Sequence, residues 1–205
     1  MAKEAIRSGA ETPFKDKDGN VIKVHDYVQD GNGVRYYINS YCQAVPDGTD
    51  APAVELARLI EEQPVSLMSI EEVINYFGFE SCTNYQMINV LEKLAGTYAD
   101  AVENAALGWE RMNADSPVPY FPQVCCGWDN NPRFKSVKTV QLDGANPALF
   151  KKALMNAKAF IDAHPDRVPL ITINSWNEWT EGSYLEPDDL FGYGYLDAVK
   201  EVFGE

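Results

Sequence analysis

The chain has 205 residues, of which 31 are acidic and 17 basic, for a net charge of −14 and a sequence pI near 4.5. That balance argues against a nucleic-acid partner, which needs clustered Lys and Arg, and against docking on anionic membranes. No apolar run reaches the ~20 residues of a membrane span, and residues 1–7 read as the tail of an amphipathic helix rather than a secretory signal, so the compartment stays open.

Residues 11–33 carry turn chemistry, Lys15-Asp16-Lys17-Asp18-Gly19-Asn20 and Gln29-Asp30-Gly31-Asn32-Gly33, around one arm of a small hairpin at 21–24. They read as an irregular insertion. From Arg35 onward strand and helix patterns alternate. A strand is expected over 35–39, then a helix over 52–62 with Leu56, Leu59 and Ile60 on one side. A second helix spans 69–77. Ser69 and Glu72 form its capping box, Ile70, Val73, Ile74 and Phe77 its apolar stripe, and Gly78 its stop. A strand follows over 79–83. Thr97 caps a helix striped by Val102, Ala105, Ala106 and Trp109. The third strand runs over 120–126. Asn146 and Pro147 open a helix with Phe150, Ala153, Leu154, Ala157 and Ile161 on one face. A fourth strand over 170–176 and a helix over 195–203 complete the pattern.

Strand–helix alternation implies an α/β fold with parallel strands and helical crossovers. In such folds chemistry sits at the C-terminal strand ends. Each of those ends carries polar and aromatic groups here: Asn39-Ser40-Tyr41, Thr83-Asn84-Tyr85-Gln86, Trp128-Asp129-Asn130 and Asn177-Glu178-Trp179-Thr180-Glu181. Cys42, Cys82, Cys125 and Cys126 lack zinc spacing and read as free thiols, mostly buried. His25 and His164 stand alone. There is no GxSxG, phosphate loop or dinucleotide fingerprint.

The densest segment is 174–182, where Glu178 and Glu181 sit between Trp176 and Trp179 as a strand runs into a loop. Glycoside cleavage needs an acid for the leaving oxygen and a second carboxylate as base or nucleophile. Residues three apart at a strand end can face one cavity. Burial beside the tryptophans is expected to raise one carboxyl pKa, and repulsion to part the two, leaving the acid protonated near neutrality. Trp179 reads as a platform for a sugar face; Trp176 is either that or core, and Trp109 is core. Asn177, Trp128, Asp129, Tyr85 and Tyr41 are further candidates for holding a saccharide. Arg133 has two readings, contact to a substrate hydroxyl or anion and an ion pair with Asp129. Glu186 reads as a structural or solvated loop residue.

Two motifs, Gly127-Trp128-Asp129-Asn130-Asn131-Pro132-Arg133 and the run from Trp176-Asn177-Glu178-Trp179-Thr180-Glu181-Gly182 to Pro187, resemble those of glycoside hydrolase family 99 and its WbsX-like relatives. Residues 79–86 resemble the preceding strand, and the resemblance covers roughly residues 70–205. It implies a (β/α)8 TIM barrel and a retaining glycoside hydrolase acting on α-mannoside-type or related polysaccharide chains. Glu178 would deprotonate the sugar 2-hydroxyl to give a 1,2-anhydro intermediate, and Glu181 would act as general acid and then base. No metal and no organic cofactor are implied. Thr180 stands where the hydrolases carry His, which leaves sugar and linkage open. The WbsX-like side of the resemblance implies a glycosyltransferase instead.

A full barrel takes about 250 residues and eight strands, and four βα units are legible here. Residues 1–205 therefore read as one partial domain, the C-terminal half of a barrel with an insertion around 11–33. Its open sheet edges favour a homodimer or a complementing N-terminal half. The expected partner is an oligosaccharide or polysaccharide, and a carbohydrate-binding half-barrel without turnover is the competing reading.

Overall fold

The computed structural model describes residues 9–87, 96–133 and 141–204, and the chain divides into two compact units between Gly78 and Phe79. The helix tail expected over 1–7 lies outside the described residues. Among the described residues the protein is mixed α/β with five α-helices, none long and apolar enough to cross a membrane.

In the first unit β1 (Glu11–Lys15) and β2 (Val21–Lys23) form a hairpin. The Asp16 carboxylate closes it, accepting the backbone N–H of Asp18 at 2.9 Å and of Asn20 at 2.8 Å. Next come β3 (Tyr27–Asp30), β4 (Arg35–Ile38), β5 (Gln43–Pro46), β6 (Val54–Glu55), α1 (Leu56–Glu62), β7 (Val65–Leu67) and α2 (Ile70–Phe77). The strands build one five-stranded antiparallel sheet in the order β6-β5-β4-β3-β7. Along β4, Tyr36 and Ile38 are buried and Arg35 and Tyr37 half-buried, the period of a strand with one face on a core. Ile22, Val28, Leu56, Leu59 and Val65 complete that core.

The strand expected over 35–39 is present as β4, but it is not a parallel barrel strand. It pairs antiparallel with both neighbours. The connections explain this: parallel strands need a crossover of a dozen or more residues, whereas β3 reaches β4 through the short Asp30–Gly33 turn. There Asp30 accepts the N–H of Asn32 and Val34, and Gly33 adopts φ 83°, which a side chain resists. The helix expected over 52–62 starts only at Leu56, after β6. α2 is as expected, with Ser69 and Glu72 satisfying each other's backbone N–H and Gly78 left-handed at its end.

The second unit opens with β8 (Cys82–Thr83), α3 (Tyr98–Asp115), β9 (Tyr120–Phe121), β10 (Gln123–Cys125), β11 (Trp128–Asp129), β12 (Gln141–Leu142) and α4 (Pro147–Asp162). It ends with β13 (Thr172–Asn174), β14 (Asn177–Glu178), β15 (Ser183–Tyr184) and α5 (Gly194–Phe203). β8 pairs parallel with β9, and β10 parallel with β13. Pro122, which has no N–H for a ladder, separates β9 from β10, and its carbonyl still accepts Thr172 N–H at 3.1 Å. The run 120–125 thus stands between β8 and β13, with α3 and α4 as the crossovers. Thr97 caps α3, and Asn146 caps α4 ahead of Pro147. Trp109, Tyr98, Tyr120, Phe150 and Leu154 fill the core. None of the four cysteines is in a disulfide; Cys125 and Cys126 are buried, and burial pushes the Cys125 thiol up to about 12.

Candidate active site

The chain leaves β13 at Asn174 and doubles back as the hairpin β14–β15. A 3-10 turn, Trp179–Glu181, forms the reversal, and Gly182 at φ 58° completes it. The loop after β10 lies directly against this hairpin. A Cβ on Gly127 would stand 2.4 Å from the Gly182 carbonyl oxygen, so only glycine permits the approach. That contact brings residues 128–133 beside residues 178–181. Asp129 then sets the local geometry. Its carboxylate accepts the Asn131 backbone N–H at 2.9 Å and the Asn131 side-chain amide at 2.6 Å, fixing the 3-10 turn Asn131–Arg133.

Arg133 at the end of that turn reaches both glutamates. Nη1 donates to Glu181 Oε1 at 2.7 Å, Nη2 to Glu178 Oε1 at 2.8 Å and Nε to Thr180 Oγ1 at 2.9 Å. Thr180 Oγ1 donates in turn to Glu178 Oε1 at 2.8 Å, and the Tyr85 hydroxyl donates to Glu181 Oε2 at 3.0 Å. Glu181 is 2% exposed, while the Glu178 side chain keeps 37% of its surface. The Thr180 hydroxyl bond, aided by Arg133, holds the Glu178 carboxyl below its ordinary 4.5 against a desolvation that works the other way.

Two expectations are corrected here. Arg133 does not pair with Asp129, because that carboxylate is spent on capping its own turn while the guanidinium fork fits two carboxyl groups at once. Nor do the indoles bury the glutamates, since Trp176 is 54% and Trp179 48% exposed. Glu181 lies instead under Arg133 and Tyr85. Trp176 is accordingly not core.

Trp179 stacks on Tyr184 with ring centroids 3.8 Å apart, and its Nε1–H donates to Glu186 Oε2 at 2.8 Å. Glu186, read from sequence as a loop residue, therefore fixes the indole. Trp128 is half-buried, with Tyr85 edge-on to it at 6.4 Å. Asn177 is exposed and pairs with Tyr184 in the hairpin ladder. Tyr41 lies in the first unit, exposed in the turn between β4 and β5, where its N–H donates to Asn39 Oδ1. The strand-end argument that selected Tyr41 assumed a parallel strand, and β4 is antiparallel.

A cleft of about 390 Å³ lies along the parallel strands, lined by Thr83, Asn84, Tyr85, Gln123 and Asn174 among others; neither glutamate lines it, and Tyr85, which donates to Glu181, joins the two. The sequence reading passed over Gln123 and Asn174. The signal available was their alternation along β10 and β13, which puts polar side chains on the face that lines the cleft. Among the described residues no group of three or more His, Cys, Asp or Glu forms a metal site. The arrangement offers two carboxylates under one guanidinium, a phenol, exposed indoles and uncharged amides. That set suits proton transfer on a hydroxylated ligand.

Fold and site thus define a mixed α/β protein with an acidic pair at its parallel-strand ends. The family described as Glycosyltransferase WbsX matches residues 37–199, and the chain belongs to that family. Two relatives, each named Uncharacterized protein WxcX, come from Xanthomonas campestris pv. campestris strains B100 and ATCC 33913. Each is 38% identical over 83 residues, 40% of this chain and 12% of the relative, so the chain spans only a small part of those proteins. A solved structure titled "Glycoside hydrolase-like protein" aligns over 53% of this chain and 32% of its own, with 19% identity and a TM-score of 0.38.

Proposed function

We propose that the chain carries the catalytic rim of a carbohydrate-active enzyme that works on an oligosaccharide or polysaccharide through Glu178 and Glu181. One observation carries the reading: both carboxyl groups meet a single guanidinium, and Tyr85, on the wall of a cleft along the parallel strands, donates to one of them. The WbsX family description adds sugar chemistry. A fold inference goes with it. β8, β9–β10 and β13 run parallel in chain order with α3 and α4 between them, the repeat of a (β/α)8 barrel. Residues 79–204 are inferred to be part of such a barrel, three of its eight strands.

As a retaining glycosidase on an α-mannoside-type chain, Glu178 is the base toward the sugar 2-hydroxyl. Its lowered pKa keeps it ionised, and the Thr180 and Arg133 bonds that lower it weaken it as a base until substrate displaces them. Glu181 is the acid and then the base at the leaving oxygen, and Trp176 and Trp179 offer ring faces. A carboxylate paired to Arg133 gives up no proton, so this route requires the sugar to draw Nη1 away from Glu181. A second reading, a glycosyltransferase, is favoured by the same pairing, because two carboxylates held by an arginine serve as bases without a proton to give. The family description points the same way.

Incubation with reducing-end-labelled α-manno-oligosaccharides, and separately with nucleotide sugars plus acceptor, distinguishes the two by mass spectrometry of the products. Shortened chains identify a hydrolase and lengthened chains a transferase. In either arm Glu178→Gln and Glu181→Gln are expected to lose at least ~100-fold in rate, the scale of one placed proton-transfer group. Binding without product by wild type would leave a carbohydrate-binding module and reject the enzymatic reading.

A further inference from the structure

The cleft floor holds a hydrogen-bond relay that the two glutamates do not use. The Tyr120 hydroxyl donates to Asn84 Oδ1. Asn84 Nδ2 donates to Gln123 Oε1 at 3.2 Å and to the Gln86 carbonyl at 2.6 Å. Tyr120 is buried, which pushes its phenol up and keeps it a donor. Each amide in the relay is therefore oriented by the one before it: Asn84 must present its oxygen to Tyr120 and its nitrogen to Gln123. Gln123 is left with Nε2 as its outer group. Gln123 is 1% exposed, and among the described residues Nε2 has no hydrogen-bond partner.

A second relay ends beside it. Asn174 sits near the Tyr85 phenol, which donates to Glu181. Asn174 Oδ1 is buried and, among the described residues, has no partner either. Gln123 lies on β10 and Asn174 on β13, strands that pair in parallel, and both residues line the same cleft. A buried amide group without a partner is destabilising, and a ligand that supplies the partner relieves that cost. The residues that bear one orphan donor and one orphan acceptor thus line one hollow of about 390 Å³, room enough for a pyranose ring, and the two atoms are closed to solvent until a ligand or a turn of the side chain uncovers them.

We infer that Gln123 and Asn174 form a hydroxyl-reading subsite, the amide N–H of Gln123 donating to one hydroxyl oxygen of a neutral hexose and the Asn174 carbonyl accepting from another. This rests on the sugar reading above and deepens it. These two residues would set which hexose enters, because a hydroxyl is both donor and acceptor and an analogue lacking it leaves an amide unpaired again. Tyr120 and Asn84 are positioning residues that act through Gln123.

The test is a side-chain amide NMR titration with methyl α-D-manno-, gluco- and galactopyranoside, followed by the monodeoxy analogues of whichever binds. Expected are shifts of the Gln123 and Asn174 amide signals in the wild type. At least one deoxy analogue should bind about tenfold more weakly, the scale of one buried hydrogen bond. Gln123→Glu, which keeps the acceptor for Asn84, and Gln123→Met should bind the parent and the analogue lacking the hydroxyl read by Gln123 alike. The wild-type deoxy series is decisive by itself should either variant fail to fold. Binding that moves the Trp176 or Trp179 indole signals but neither amide, or discrimination retained in both variants against the analogue that lacks the hydroxyl read by Gln123, overturns the subsite and leaves the sugar reading standing. Absence of any shift with all three glycosides overturns both.

Discussion

Arg133 is the residue on which the site's electrostatics turn. It was legible as a candidate from the Asp129–Arg133 motif, but its partners were not. Sequence spacing favours the carboxylate four residues away, whereas the structure joins Arg133 to Glu178 and Glu181 across 45 and 48 positions. Glu181 is buried, so removing its counter-charge leaves a desolvated carboxylate. Arg133→Met is expected to destabilise by about 1–3 kcal/mol, with Glu181→Gln in the same chain recovering part of the loss. Urea unfolding of both single variants and the double variant checks this; additive costs would mean that the pair does not interact. Glu178 and Glu181 were legible because two acids and two indoles crowd one strand end. Gln123, Asn174 and Thr180 were not, because an amide or a hydroxyl gains meaning only from the neighbours it lacks or finds.

At the scale of elements, local chemistry carried over and long-range pairing did not. The Ser69–Glu72 box, the Thr97 cap and the Asn146-Pro147 start each act within a few residues, and each forms as expected. Ser69→Ala and Asn146→Ala should each cost about 1 kcal/mol in denaturant unfolding. The antiparallel sheet of the first unit was missed, because residues 11–33 look irregular until β3 and β4 are seen to be joined by their own turn. β3 itself has no strong apolar run to announce it; only Val28 and Asp30 are buried along it. The hairpin β14–β15 depends on Gly127, whose absent side chain lets the Gly182 carbonyl approach. Gly127→Ala is expected to cost about 1–3 kcal/mol through overpacking. It should also separate Arg133 from the glutamates, seen as a partial rise of the Glu178 pKa in a carboxyl NMR titration, the Thr180 bond remaining.

At the scale of the whole molecule, several carboxyl groups depend on native hydrogen bonds. The Phe191 N–H holds Asp188 below its ordinary 3.8, the Ser69 N–H holds Glu72 below 4.5, and Thr180 does the same for Glu178. A group depressed on folding contributes stability that is complete above its unfolded pKa and lost as pH falls through its folded pKa. Thermal unfolding should therefore be level with respect to these groups above about pH 5, and the midpoint should drop as pH falls below 4.5 and then 3.8. A midpoint unchanged down to pH 3 would contradict those bonds. The α/β alternation of the second unit was visible from its helices, while the division of the chain at Gly78 was not, since both halves share one composition of short strands and turns. Everything functional in this account rests on a saccharide meeting the two glutamates, and a crystal structure of the Glu181→Gln protein with a bound manno-oligosaccharide addresses that most directly. The account predicts a sugar ring in the cleft with hydroxyl or glycosidic oxygens within hydrogen-bond reach of Glu178 and residue 181; a sugar seated elsewhere, with the Arg133 pairing to Glu178 undisturbed, would contradict it.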